Sequence, residues 1–191
     1  GAAALRGQTG AESFDAAVVL GSGWLAAADA LGTTVAEISL ADLGGFAQPS
    51  VKGHAPSVRY IRMGKLHILA YLGRIHLYEG HDPNAVTHGV RTAVAAGCRT
   101  IVLTNAAGGI NPAFGVGQPV LVSDHINLTG RSPLTGPLPP QVPSRFTALT
   151  AVYSGRLRAM ARELDPAPPG GVYAGLPGPD FGTPGQTRMV R

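Results

Sequence analysis

The stretch IVLTNAAGGINPAFGVGQPVLVSDHINL, residues 101–128, decides the fold. It reads as two short apolar strands, 101–104 and 119–122, each followed by polar residues where a strand would hand its backbone to a binding site. Between them, Asn105-Ala106-Ala107-Gly108-Gly109 exposes main chain with no branched side chain in the way. A flat or anionic ligand can approach such a segment closely. A glycine turn between two buried strands accounts for the same residues equally well, so the rest of the chain has to separate the two readings.

Upstream, residues 16–20 (AAVVL) form a continuous apolar run, as in a strand covered on both faces. It ends in Gly21-Ser22-Gly23, and 24–31 has the composition of a helix. Residues 35–40 suggest a further strand, and 44–56 a Gly/Pro-rich loop carrying His54. Runs 57–63 and 66–72 flank Gly64-Lys65 and predict a hairpin. Asp82 is placed to cap a helix through Ala96, with Pro83 in its first turn and Gly97 at its end. Downstream, 132–144 is too rich in proline for regular structure, 153–164 has helical spacing, 171–176 reads as a strand and 177–185 as a loop. Residues 1–13 show no sustained periodicity and suggest a mobile arm or a frayed helix. Strands alternating with helices predict an α/β fold, a single domain with a central mixed β-sheet flanked by helices. Ligands of such sheets collect at the carboxyl ends of the strands. That rule puts Ser22, Arg74 with His76, Asn105 to Gly109, and Phe181 on one rim.

Composition limits the function classes. The 191 residues are 45% hydrophobic and 14% charged, enough apolar material for a core. No apolar run is long enough to cross a bilayer, and GAAALRGQTG lacks the order of a signal peptide, so a soluble, cytoplasmic protein without membrane contact is expected. The net charge of +4 comes mostly from scattered arginines with no aromatic platform, which argues against a nucleic-acid partner. Cys98 is the single cysteine, suited to buried packing, and no H-x-x-x-H or H-E-x-x-H spacing supports zinc, so no metal is expected.

Gly21-x-Gly23-x-x-Ala26 fits a loose dinucleotide fingerprint, and the same amides with the Ser22 hydroxyl could bind one phosphate. Glu37 falls too early, and Asp42 in too irregular a segment, to supply the ribose-binding carboxylate of a dinucleotide site. Arg74 and His76 lie two apart on an extended segment, so guanidinium and imidazole point the same way and could hold an oxyanion. An Arg74–Glu79 ion pair with His76 packed under a loop is the competing structural reading. Asp124-His125 could act as an acid/base pair or simply order a loop, and no Gly-x-Ser-x-Gly elbow is present. A phosphate-holding rim beside a small-residue slot points to enzymes that use phosphate or phosphorylated substrates.

The ordered set GSGW at Gly21, GH at Gly53, GRIHLYEGH at Gly73, TNAAGG at Thr104, SDHINLT at Ser123, RSPL at Arg131 and GPDF at Gly178 resembles the trimeric purine nucleoside phosphorylases. The resemblance runs from about Ala16 to Arg191. It implies a homotrimer with neither metal nor organic cofactor, inorganic phosphate being a co-substrate. The implied reaction converts a purine (deoxy)ribonucleoside, such as inosine or guanosine, and phosphate to free purine and (deoxy)ribose 1-phosphate. By the same resemblance, Arg74 and His76 are the catalytic pair and bind phosphate with Ser22, His54 and the amide of Ala106. Tyr78 would lie on the ribose, Ala106, Ala107, Gly108 and Phe181 along the base, and Phe146 would reach a neighbouring subunit's ribose pocket.

The chain departs from the pattern at Gly182, where the family has a purine-binding Glu, and at Gln186, where a second Glu is usual. Relatives also continue for several dozen residues past the position of Arg191. The resemblance therefore implies an arm over residues 1–15 and a phosphorylase-like domain over 16–191 that lacks the C-terminal portion of the family fold, with weakened turnover. Methylthioadenosine phosphorylase, a catalytically silent nucleoside- or phosphate-binding homologue and, more distantly, an NAD-binding domain are the alternatives.

Overall fold

A computed structural model describes residues 1–47, 56–137, 144–180 and 182–191. It is an α/β structure with a central mixed sheet flanked by helices, as the alternation of elements predicts. Its contacts fall into two compact units, Gly1–Ala107 and Gly108–Arg191.

The first unit runs α1 (Ala2–Thr9), β1 (Ala16–Val19), β2 (Thr33–Ser39), β3 (Ser57–Met63), β4 (Leu66–Tyr71), α2 (Pro83–Val86), α3 (His88–Ala95) and β5 (Thr100–Leu103), with 3-10 turns at Leu25–Ala30, Leu40–Leu43 and Leu77–Glu79. Its sheet has the order β2-β3-β4-β1-β5. β1 lies parallel to both neighbours, with Ala17 opposite Leu69 and Ile101, while β2, β3 and β4 form an antiparallel meander. The predicted hairpin turns at Gly64, whose φ of 61° suits glycine. Because β1, β4 and β5 are parallel, their carboxyl ends open on one edge. Residues 20–24, 72–79 and 104–107 follow those ends.

Strand alternation builds two apolar layers. Leu69 and Tyr71 of β4 join Ala17, Val19, Leu5, Phe14, Ala93 and Cys98 on one face. Ile68, Ala70 and Leu72, one residue out of phase, join Leu20, Ala28 and Ile61 on the other. Each fully buried Leu or Phe contributes about 1.5–3 kcal/mol to stability, so the central strands rest on packing at both faces.

Several elements differ from the sequence reading. Residues 2–9 are an anchored helix, with Leu5 wholly buried and Gly10 closing the C-terminus at φ 68°. Residues 25–30 wind as a 3-10 turn through bonds such as Ala27 N–H to Trp24 O, 2.9 Å. The helix after Asp82 breaks at Thr87, whose hydroxyl donates to Pro83 O at 2.9 Å and lets the chain re-start as α3. Its ends are as expected: Asp82 accepts from Asn84 N–H at 2.8 Å, and Gly97 has φ 113°.

The second unit contains β6 (Leu121–Asn127), α4 (Gly155–Leu164), β7 (Gly170–Gly175) and α5 (Pro184–Met189). β6 and β7 pair in parallel, with α4 between them in sequence. The strand expected at 119–122 begins later and takes in Ser123-Asp124-His125-Ile126-Asn127, because Asp124 to Asn127 pair with Val172 to Gly175. Partly exposed strand faces admit such polar side chains. The loop expected over 177–185 gives way to α5, started by a reciprocal Thr183/Gln186 capping box.

Candidate active site

The carboxyl edge of the first unit is tied together at Thr104. Its amide donates to Val19 O at 3.0 Å, extending the β1/β5 ladder by one residue. The hydroxyl accepts from Gly21 N–H at 2.9 Å and donates to Val19 O at 3.2 Å. Its carbonyl oxygen accepts from Arg74 Nη1 at 2.7 Å. One residue therefore contacts the turn after β1 and the guanidinium after β4, and leads directly into Asn105-Ala106-Ala107.

Two glycines make this approach possible. A Cβ on Gly21 would fall on Thr104 O, 2.8 Å from Arg74 Nη1 and 2.9 Å from Asn105 Cα. Gly23 has φ 84°, which a side chain would strain, and Trp24 N–H bonds Gly21 O at 3.0 Å to close the turn. Ser22 is consequently held exposed at the tip of a tight turn.

At His76 the backbone is extended (φ −125°, ψ 157°), and the chain then enters the 3-10 turn. Glu79 Oε1 accepts from the His76 amide at 2.7 Å and from His76 Nδ1 at 2.9 Å. The Glu79 side chain is only 5% exposed. The carboxylate thus takes Nδ1–H and fixes the orientation of the imidazole. Tyr78 stacks on the His76 ring at a centroid distance of 4.8 Å and 14° between planes, yet remains partly exposed. Glu79, expected in the competing reading as the partner of Arg74, takes the His76 amide and ring, a pairing that the His-x-x-Glu spacing of a capping box could have signalled.

Of the residues proposed from sequence, Ser22, Arg74, His76, Tyr78, Ala106 and Ala107 belong to the first unit, and Gly108 and Phe146 to the second. Thr104 gathers the Gly21-Ser22 turn, Arg74 and the start of the small-residue loop. Phe146 is 89% exposed. His54 and Phe181 lie outside the described residues.

The other candidate groups have structural partners. Asp124 and His125 sit on β6, with His125 N–H bonded to Asp124 Oδ1 at 2.8 Å and His125 Nδ1 3.1 Å from the Tyr153 hydroxyl. His67 Nδ1 lies 3.1 Å from the Tyr60 hydroxyl, and His88 packs edge-on against Phe46. Glu37 accepts from Ser57 Oγ and Arg59 Nε, both at 2.8 Å, and these bonds hold its carboxyl below the usual range. Cys98 is a buried free thiol pushed up to about 11, first by burial and then by the charge of Asp15. Among the described residues there is no cluster of three His, Cys, Asp or Glu able to hold a metal, and no helix long and apolar enough to cross a membrane.

Comparison with known proteins places this geometry in context. The sequence pattern of the Phosphorylase superfamily matches residues 15–191. A purine nucleoside phosphorylase from Cellulomonas sp is 50% identical over 187 residues, covering 95% of this chain and 64% of that relative. The Mycobacterium tuberculosis purine nucleoside phosphorylase is 50% identical over 184 residues, covering 96% of this chain and 66% of that relative. The chain thus spans about two thirds of the length of these curated relatives. Among solved structures, Schistosoma mansoni purine nucleoside phosphorylase in complex with inosine superposes with a TM-score of 0.87 at 29% identity, covering 98% of this chain and 68% of that one.

Proposed function

The chain belongs to the phosphorylase superfamily, and we propose that its reaction is the phosphorolysis of purine (deoxy)ribonucleosides such as inosine and guanosine. The observation that carries the proposal is the sheet edge at which Thr104 holds the Gly21-Ser22 turn and Arg74 together, one residue before the small-residue loop. The 50% identity to purine nucleoside phosphorylases supports the substrate class.

In this reading Ser22, His54, Arg74, His76 and the amide of Ala106 bind inorganic phosphate. Arg74 supplies a planar fork and His76 an oriented ring nitrogen. Tyr78 lies along the ribose, while Ala106, Ala107, Gly108 and Phe181 line the purine. The bond between the sugar's anomeric carbon and purine N9 lengthens, and positive charge builds on the sugar. The bound phosphate dianion stabilises that charge and attacks the same carbon through oxygen. The C–N bonding pair leaves with the purine, which takes up a proton, and ribose 1-phosphate remains. No metal or organic cofactor takes part in this scheme. The 89% exposure of Phe146 suits a side chain lent to a second copy, and a homotrimer is the assembly proposed. A cytoplasmic setting agrees with this nucleoside chemistry.

Gly182 favours a second reading, a homologue that binds nucleoside and phosphate with little turnover, because a carboxylate at this position would bind the leaving purine. Its surroundings admit one: an added Cβ would sit 3.7 Å from Gln186 and 3.8 Å from Thr187, in ordinary contact. Hypoxanthine release from inosine is the assay, run with this chain and with Gly182→Glu. Phosphate-dependent release with ribose 1-phosphate as co-product supports the proposal, and a faster Gly182→Glu variant ties the missing carboxylate to rate. Calorimetric binding of inosine and phosphate without release from either protein supports the silent reading. Methylthioadenosine cleaved faster than inosine transfers the proposal to that substrate, and neither binding nor release overturns both readings.

A further inference from the structure

Thr104 uses every polar group it has at the edge of the sheet. Its amide and hydroxyl hydrogen both go to Val19 O, its hydroxyl oxygen takes the Gly21 amide, and its carbonyl takes Arg74. Gly21 has no polar side chain, and a Cβ there would overlap Thr104 O. The turn that presents Ser22 is therefore located by the Thr104 hydroxyl on one side and by steric contact with the Thr104–Asn105 backbone on the other. Arg74 is located from the same residue: a guanidinium on a flexible stem is oriented when one of its donors is fixed, here Nη1 on Thr104 O.

We propose that Thr104 is the positioning residue of the phosphate site, acting through the Gly21-Ser22 turn and Arg74 without touching phosphate itself. The inference rests on the reading of this edge as a phosphate site and assigns the residue that sets its geometry. The hydroxyl is the part that can be tested, because it is removable without changing the backbone carbonyl. Valine matches threonine in shape and branching but cannot accept from Gly21 N–H. That leaves a partly buried donor without its partner and lets the turn drift from Arg74. Serine keeps the hydroxyl and loses a methyl group.

The experiment titrates wild type, Thr104→Val and Thr104→Ser with inorganic phosphate by calorimetry, and separately with inosine, after circular dichroism has shown which variants are folded. The expected result is phosphate affinity weakened about tenfold in Thr104→Val, inosine affinity within about twofold, and Thr104→Ser within about threefold of wild type for both. Where the chain turns over inosine, the KM for phosphate rises in Thr104→Val by the same factor while the KM for inosine holds. Equal phosphate affinity in folded Thr104→Val and wild type overturns the positioning role and leaves the phosphate site standing. Equal weakening for phosphate and inosine also overturns it, by showing a general structural effect. If Thr104→Val does not fold, Thr104→Ser decides: phosphate affinity at least tenfold weaker shows that the hydroxyl does not carry the effect. Wild type that binds no phosphate overturns the site reading itself, and the inference with it.

Discussion

Gly21 is the residue at which sequence, geometry and function meet most tightly. A methyl group added there has backbone on two sides, at Thr104 O and Asn105 Cα, and neither can give way as a flexible side chain would. Gly21→Ala is expected to lower stability by about 1–3 kcal/mol, read as a shift in urea midpoint at constant slope. Phosphate binding should weaken more than tenfold, since the turn must move away from Arg74. A stability change under about 0.5 kcal/mol with unchanged phosphate binding counts against the close approach. Cys98 makes a different residue-scale prediction. Burial and the Asp15 charge raise its thiol from 9.0 to about 11, so the folded state holds this proton more tightly than the unfolded chain does. The sign follows: the stabilising contribution is fully present below pH 9 and is lost as pH rises through about 11. Tyr71, its hydroxyl buried and raised by desolvation, adds a loss of the same sign at higher pH. Urea unfolding at pH 8, 9, 10 and 11 should show the decline, shallower in Cys98→Ala. At pH 8 a disulfide reagent should modify the thiol slowly in the native protein and rapidly in guanidinium. Rapid native modification places the thiol at the surface.

Among the elements, α2 depends on Asp82 more than its four residues suggest. The carboxylate accepts from both the backbone N–H and the side-chain amide of Asn84, 2.8 and 2.9 Å away, at the start of a helix too short to hold itself. Asp82→Ala is expected to cost about 1 kcal/mol, with Asp82→Asn retaining most of it, measured by chemical unfolding. Equal stability of Asp82→Ala and wild type removes the cap from the account. This cap was legible because Asp-Pro before an apolar run is a local signal. So were β1, β3, β4 and β7, whose apolar runs end at Gly or turn residues. The misplaced elements have non-local causes. β6 extends through Asp124, His125 and Asn127 because β7 pairs with them, which no window around those residues reveals. The break at Thr87 comes from a hydroxyl that donates to Pro83 O, a choice that periodicity does not encode. α1 gave no periodic signal, and what fixes it is Leu5 buried in the layer with Phe14 and Ala93. At the site, spacing gave the expectation that Arg74 and His76 face one way. It could not show that Thr104 O takes Arg74. That bond depends on where two separate strands end.

At the scale of the whole molecule, the two units differ in what holds their backbones. Every buried apolar side chain among the described residues, from Leu5 to Cys98, lies in the first unit. In the second, Ile126, Val172 and Met189 are exposed, and Leu164 is 88% exposed. A two-stranded ladder with exposed side chains is marginal in water, whereas central strands packed on both faces open only when the molecule unfolds. Hydrogen exchange of the intact chain should therefore separate the units. The amides of Ala17, Val18, Leu69 and Ala70 should exchange with the free energy of global unfolding, and those of β6 and β7 at least about 100-fold faster. The proposed homotrimer adds a concentration dependence, because a face covered by another copy is stabilised by mass action. If assembly through the second unit occurs, slower exchange around Phe146 and along β6 and β7 should accompany rising protein concentration, while the β1 and β4 amides change little. Uniform protection across both units at every concentration would mean that the exposed apolar side chains of the second unit do not govern its opening. Protection of β6 and β7 that stays low as sedimentation shows the chain associating would place the contact elsewhere, and with it the role proposed for Phe146.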